Sequence, residues 1–151
     1  KLGFKKIDFR QSFNRNIFQL IWDKNNILKV EFTYFPFARI DKSQKINGLC
    51  IDSLKDMAVN KLFTILQNPR GRDYFDLYLI IKKKGWKITE LAKLARAKFD
   101  FNIDYLQLAI NFTKVKQIKD DPILLKKKDI FNDIDEFFVK EAKKLRKELI
   151  N

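Results

Sequence analysis

The chain has 151 residues, a hydrophobic fraction of 46% and a formal net charge of +13. That length suits one domain, or one domain with a small appendage, and fifteen phenylalanines supply bulk for a core. Histidine is absent and Cys50 is the one cysteine, which excludes an internal disulfide, Ser-His or Cys-His catalysis and most zinc sites.

Chemistry must then come from carboxylates, Lys, Arg, Tyr or hydroxyls, with a hard cation such as Mg²⁺ still open. A lone cysteine fits a reducing compartment, so a cytoplasmic protein is expected. No apolar run approaches the ~20 residues of a membrane span. The opening KLGFKKIDFR has no apolar stretch of the signal-peptide kind. It also has no initiator Met, so the sequence is expected to begin inside a longer gene product. The positive charge suggests polyanionic partners, although a Lys-rich composition is also what A/T-rich codon usage produces. Its distribution is more telling. Residues 61–99 carry 10 basic and 3 acidic side chains, whereas residues 100–151 carry 11 and 10.

In chain order, RNIFQLIWDKNNILKVEFTYFPF predicts a β-hairpin over about 16–35. Two runs of β-branched and aromatic residues flank Asp23-Lys24-Asn25-Asn26, which has turn chemistry. In the second strand Leu28, Val30, Phe32 and Tyr34 share one face. Ile27, Lys29, Glu31, Thr33 and Phe35 share the other, and Pro36 ends the pairing. ARIDKSQKING reads as a polar loop and LCI as a short strand.

From Ser53 the period becomes helical. Ser53 is a good N-cap with Asp56 three residues on, and Pro69 and Gly71 are expected to stop this helix near Asn68. A second helix starts near Arg72 or Asp73 and ends at Gly85, a C′ glycine. ITELAKLARAKF is a third, capped by Thr89, and IDYLQLAINF a fourth. KDIFNDIDEFFVKEAKKLRKELI is a long amphipathic fifth, with Ile130, Ile134, Phe137, Phe138, Leu145 and Leu149 on one stripe. Strands first and helices later mean an α+β fold, with helices three to five forming a small bundle beside the sheet.

Several charges sit where the apolar pattern asks for core. Leu54, Met57, Ala58, Leu62 and Ile65 form the stripe of the first helix, and Lys61 falls near its centre. A lysine there either snorkels, joins a structural ion pair, or faces an anion as a point charge. Asp73 and Asp76 lie at i and i+3 on one side of the next helix, whose apolar face is Tyr74, Leu77, Tyr78 and Ile81. They are either favoured by the helix N-terminus or stand beside Lys61 at a nucleotide. Arg72 can pair with Asp73 or grip a phosphate with its planar fork. Glu31 is either a solvated strand residue or a carboxylate facing a cleft where Mg²⁺ could be held. Lys82-Lys83-Lys84 suits a helix C-terminus, and Lys126-Lys127-Lys128 reads the same way.

Taken together, IDSLKDMAVNKLFTILQNPRGRDYFDLYLII resembles the second half of the AbiEii/AbiGii-type nucleotidyltransferase toxins, of the DNA polymerase β-like nucleotidyltransferase superfamily. Ser53-Leu54-Lys55-Asp56, Lys61, Arg72-Asp73 and Asp76-Leu77-Tyr78 match the family pattern in order and spacing. Upstream, ILKVEFTYFPF fits its hairpin strand, with Glu31 in the acidic position. The resemblance covers roughly residues 14–85. It implies a small palm-like sheet, antiparallel or mixed, with residues 1–85 as the C-terminal part of a nucleotidyltransferase-like domain and 86–151 as a helical bundle packed on it.

The resemblance also implies Mg²⁺, an NTP, transfer of a nucleotidyl group to an acceptor such as a tRNA end, and a protein antitoxin. By the same resemblance Lys61 would contact the nucleotide phosphates, Asp73 with Asp76 would support the active site, and Glu31 would be the third palm carboxylate. The family's Gly-Ser turn and Asp-x-Asp motif, which carry the main metal ligands, have no counterpart, because no Gly-Ser occurs in the 151 residues. The chain alone is therefore expected to be inactive, as part of a longer protein or as a truncated product. The alternative is a non-catalytic module that binds RNA or DNA through residues 61–99, or an antitoxin through its last helix.

Overall fold

A computed structural model of the chain describes residues 3–117 and 130–148. The run Lys126-Lys127-Lys128 and the last stripe residue, Leu149, lie outside the described residues. The chain divides into two compact units, Lys1–Phe37 and Ala38–Asn151.

The first unit is an antiparallel sheet of three strands, β1 (Lys6–Ser12), β2 (Arg15–Ile21) and β3 (Ile27–Thr33), in that order. The predicted hairpin is β2–β3. Its turn is built by Asp23, whose carboxylate accepts from the Asn25 and Asn26 amides at 2.9 and 3.0 Å and from the Asn26 side chain at 2.7 Å. This is the short-range bonding that makes Asp a turn former. Asn26, which donates the side-chain bond, and Asn25 hold the Asp23 carboxyl below the usual carboxylate range.

The strand β1 is not in the sequence expectation. KIDFRQS alternates but has one β-branched residue, and it becomes a strand by pairing along β2, Lys6 with Ile21 through Ser12 with Arg15. Register fixes the faces. Phe9 stands opposite Phe18, and Phe18 opposite Val30. Phe9 and Phe18 rings lie 4.9 Å apart and Phe18 and Phe32 6.0 Å apart. One face is thus apolar, as the alternation of β3 predicts, and Glu31 lies on the other.

The second unit begins with a small hairpin, β4 (Gln44–Ile46) and β5 (Leu49–Ile51). LCI is β5, as expected, and β4 falls in the stretch read as loop. Five α-helices follow among the described residues: α1 (Leu54–Gln67), α2 (Gly71–Lys84), α3 (Ile88–Phe99), α4 (Tyr105–Thr113) and α5 (Ile130–Glu148).

Ser53 caps α1 as predicted, its hydroxyl accepting from the Asp56 amide. Gly71 does not stop a helix but begins α2, because Arg70 and Asp73 close its first turn. The Asp73 amide donates to the Arg70 carbonyl at 3.0 Å and the Arg70 amide to Asp73 Oδ2 at 3.3 Å. Gly85 ends α2 at φ +70°, where a side chain would be strained. Thr89 does not cap α3. Lys87 holds that position, and its amide donates to Glu90 Oε2 at 3.3 Å.

One apolar core runs through all five helices, wider than the three grouped from sequence. α1 packs against α2, α3 and α4, and α5 against α4 and α2. The predicted α2 face of Tyr74, Leu77, Tyr78 and Ile81 is buried in full. Rings interlock the elements: Phe63 of α1 stacks on Phe99 of α3 at 3.9 Å, and Phe138 of α5 meets Tyr74 at 5.0 Å and Phe112 at 4.9 Å. The fold is therefore α+β, a three-stranded antiparallel sheet followed by five helices. No helix among the described residues is long and apolar enough to cross a membrane.

Candidate functional site

Among the described residues of the helical unit, three polar residues are buried as a whole, Asp56, Asp73 and Asn111. Burial of a polar group is costly unless it is partnered, so their partners identify the chemistry.

Asp73 is 1% exposed and gathers two cations. Lys61 Nζ lies 3.0 Å from its Oδ1, and Arg70 Nε 3.1 Å from its Oδ2. The same lysine reaches Asp76 Oδ2 at 2.5 Å. α1 supplies Lys61, the first two turns of α2 supply Asp73 and Asp76, and the turn through Asn68 and Pro69 delivers Arg70. Thus Asp73 is both a first-turn acid that closes the helix start and an ion-pair partner.

Lys61 stands on the flank of the buried arc of α1, not at its centre. The buried apolar set is Ala58, Val59, Leu62, Ile65 and Leu66. Val59 and Leu66 widen the arc on the side away from Lys61, because α1 is packed by three helices. The lysine stem is mostly covered, the ammonium is held by carboxylates, and the group still meets solvent.

Glu31 belongs to the first unit. Lys29 Nζ is 2.8 Å from its Oε2 and an Arg15 terminal nitrogen 3.5 Å from its Oε1, and Thr33 Oγ1 donates to it at 3.4 Å. The hydrogen bond from Lys29, with Arg15 nearby, holds its carboxyl below the usual carboxylate range. Arg72 is exposed at the second position of α2. The structure therefore joins Lys61, Asp73 and Asp76 directly and adds Arg70 to them, and within the first unit it pairs Glu31 with Lys29 and Arg15.

The second buried carboxylate, Asp56, accepts four bonds, while its amide donates to the capping Ser53. Lys98 Nζ, Ser53 Oγ, Ile40 N and Asp41 N donate at 2.7, 2.7, 2.9 and 3.2 Å. Burial alone would push this carboxyl up. The hydrogen bond from Lys98 and those from Ile40, Ser53 and Asp41 outweigh burial and hold it well below the usual range.

Asn111 is the third hub. Its Nδ2 donates to the Ile65 and Leu66 carbonyls at 2.9 and 2.8 Å, satisfying the open C-terminal end of α1, and its own carbonyl accepts from Tyr74 Oη at 2.6 Å. Burial, and then the charge of Asp73, pushes the Tyr74 phenol up.

Sequence reading missed Lys98, Asn111 and Arg70. The first two carried a signal. Lys98 is three residues after Ala95 on the apolar stripe of α3, and Asn111 three after Leu108 on that of α4.

A cavity of about 360 Å³ opens elsewhere, lined by Ile81, Trp86, Ile88, Phe137, Glu141 and Leu145 among others. It holds none of the predicted residues, and Glu141 there is already paired with Lys144. No group of three or more His, Cys, Asp or Glu side chains among the described residues is placed to hold a metal ion. Glu31 is paired with two cations and Asp73 is filled by Lys61 and Arg70, so these oxygens do not fit Mg²⁺.

Comparison with known proteins identifies the family. A family model described as "Nucleotidyl transferase AbiEii toxin, Type IV TA system" matches residues 6–149. A protein of Aquifex aeolicus (strain VF5), described as uncharacterized protein aq_aa25, is 25% identical over 118 residues. That match takes in 77% of this chain and 56% of the relative, so the chain spans about half the length of the curated relative it matches. No solved structure matches the chain.

Proposed function

The chain belongs to the AbiEii nucleotidyl transferase toxin family of type IV toxin–antitoxin systems, and from that premise we propose that it forms part of a toxin transferring a nucleotidyl group from an NTP to an acceptor. The observation that carries the reading is the Lys61 ammonium, held at the surface of the helical unit by Asp73 and Asp76 in the family's motif order. An ammonium so placed is a point charge for a phosphate. Lys61 contacts the nucleotide phosphates, with Arg72 as a second phosphate ligand. Asp73, with Asp76, supports the active site.

Mg²⁺ would supply charge neutralisation at the transferring phosphate in the complete enzyme. Its main ligands belong to the Gly-Ser and Asp-x-Asp motif that these 151 residues lack. Glu31, as third palm carboxylate, comes to a metal only by giving up Lys29 and Arg15. The chain alone is accordingly inactive. A tRNA end as acceptor, a protein antitoxin as partner, an abortive-infection role and a cytoplasmic location complete the proposal, with residues 1–85 carrying the nucleotidyltransferase motifs and 86–151 the remaining helices.

The test is NTP binding and transfer by the chain and by Lys61→Ala. Binding without transfer, lost in Lys61→Ala, is expected. No binding by the parent chain would sink the nucleotide site, and transfer by the parent that Lys61→Ala abolishes would sink its inactivity. A second reading rests on the charge excess of residues 61–99. A non-catalytic RNA-binding module would lose affinity steeply with salt yet keep it in Lys61→Ala.

A further inference from the structure

Lys61 is held by two carboxylates of unequal depth. Asp73 is 1% exposed in its side chain and Asp76 43%. The inner carboxylate is pinned from three sides, by Lys61 and by the backbone and side chain of Arg70. Breaking its link to the lysine would strand a buried charge. The outer carboxylate has a single partner among the described contacts, Lys61 itself. An exposed pair of this kind is weak and screened by salt.

A polyphosphate has the same sign as Asp76 and needs the same ammonium. It cannot take Lys61 while Asp76 keeps it. Arg70 is the second cation on Asp73. Its side chain is 44% exposed and touches Asp73 through Nε, and its planar guanidinium is of the kind that suits an anion.

Resting on the nucleotide reading of Lys61, we infer that the support Asp76 gives is confined to the empty site, where it is the displaceable counter-ion of that lysine. A polyphosphate evicts it and binds between Lys61 and Arg70, while Asp73 stays in place and positions both cations. Asp76 thus gates the site by competing for it. Asp73 and Asp76, three residues apart on one helix, act in opposite directions on phosphate binding.

The probe is inorganic triphosphate, and the readout is the rate at which an amine-reactive acetylating reagent labels Lys61 in the full chain, followed by peptide mass spectrometry. Exposed Lys24 is the internal reference. Asp76→Asn is expected to raise the Lys61 labelling rate and to lower the triphosphate concentration that protects it, each by a factor of about two to five, the range an exposed ion pair supports. Asp76→Ser should do the same, and neither should change the melting transition much, since the site is exposed. Arg70→Gln should raise the protecting concentration. A purely structural Asp76 would alter melting without lowering that concentration.

If Asp76→Asn and Asp76→Ser raise the protecting concentration while the parent is protected, the gate is wrong and the nucleotide reading of Lys61 stands. If triphosphate protects Lys61 in no variant, both are overturned.

Discussion

Lys98 Nζ lies 2.7 Å from Asp56 Oδ1, with side-chain exposures of 1% and 0%. This ion pair joins α3 to the start of α1, and through Asp56 it reaches the backbone of Ile40 and Asp41. Two charges removed from water in this way are stable only together. Lys98→Met keeps most of the stem volume but leaves a buried carboxylate short of its cation. The expected cost is about 3–5 kcal/mol, read from urea unfolding. A loss under 1 kcal/mol would mean that the backbone donors and Ser53 suffice.

The same carboxylate sets a pH dependence. Its folded-state pKa is depressed below the ordinary aspartate value of 3.8. A depressed acid contributes stability that is present above its unfolded value and is lost as pH falls through the folded one. The urea midpoint should therefore hold steady with respect to Asp56 from neutral pH to about 4 and decline below that. In Lys98→Met the largest bond opposing burial is gone, so the folded-state value moves up and the part of the acid decline due to Asp56 should shrink or reverse. An acid limb identical in the two proteins would contradict the assignment.

Asp73 and Asp76 should separate in stability as well as in binding. Asp73→Asn weakens bonds to Lys61, to Arg70 and to the start of α2, at a cost of about 1–3 kcal/mol. Asp76→Asn removes a pair whose acid is nearly half exposed, and should cost no more than about 1 kcal/mol. Equal losses by thermal or chemical unfolding would show that depth does not distinguish them.

Asn111→Leu conserves volume and strands the carbonyls of Ile65 and Leu66, together with the Gln107 and Lys114 side chains that donate to Asn111 Oδ1. The expected loss is about 1–3 kcal/mol, and amide exchange should rise first in the last turn of α1. Protection unchanged at Leu66 and Gln67 would show that the capping of α1 does not depend on Asn111.

What the sequence disclosed was what repeats at short range. The helix stripes of α2 and α5, the Asp23 turn, the Ser53 cap and the Gly85 stop all rest on residues within a few positions of one another, and each is where local chemistry puts it. β1 was hidden because its pairing is with β2, and KIDFRQS carries little strand preference of its own. β4 was hidden for the same reason. The Lys61–Asp73–Asp76 set was legible as an order of residues. Arg70 was not, because its role depends on the turn between α1 and α2 bringing Nε to a carboxylate three residues on. Lys98 and Asn111 break the apolar stripes of their helices. A polar residue on such a stripe announces a partner without naming it, and Asp56 and the α1 carbonyls lie 42 to 46 positions away.

None of the described residues 3–37 is fully buried, and Phe9, Leu28 and Phe32 of the apolar sheet face are each at least half exposed. A three-stranded sheet of this size has ladder hydrogen bonds but no interior to shield them. Its amides should therefore trade deuterium through local openings, minutes or hours ahead of those of α1 and α4, whose exchange requires the helical core to come apart. Followed over time, the chain would show two protection classes divided near Phe37. Any protein that covers the apolar sheet face would reveal itself by moving β1–β3 from the fast class to the slow one.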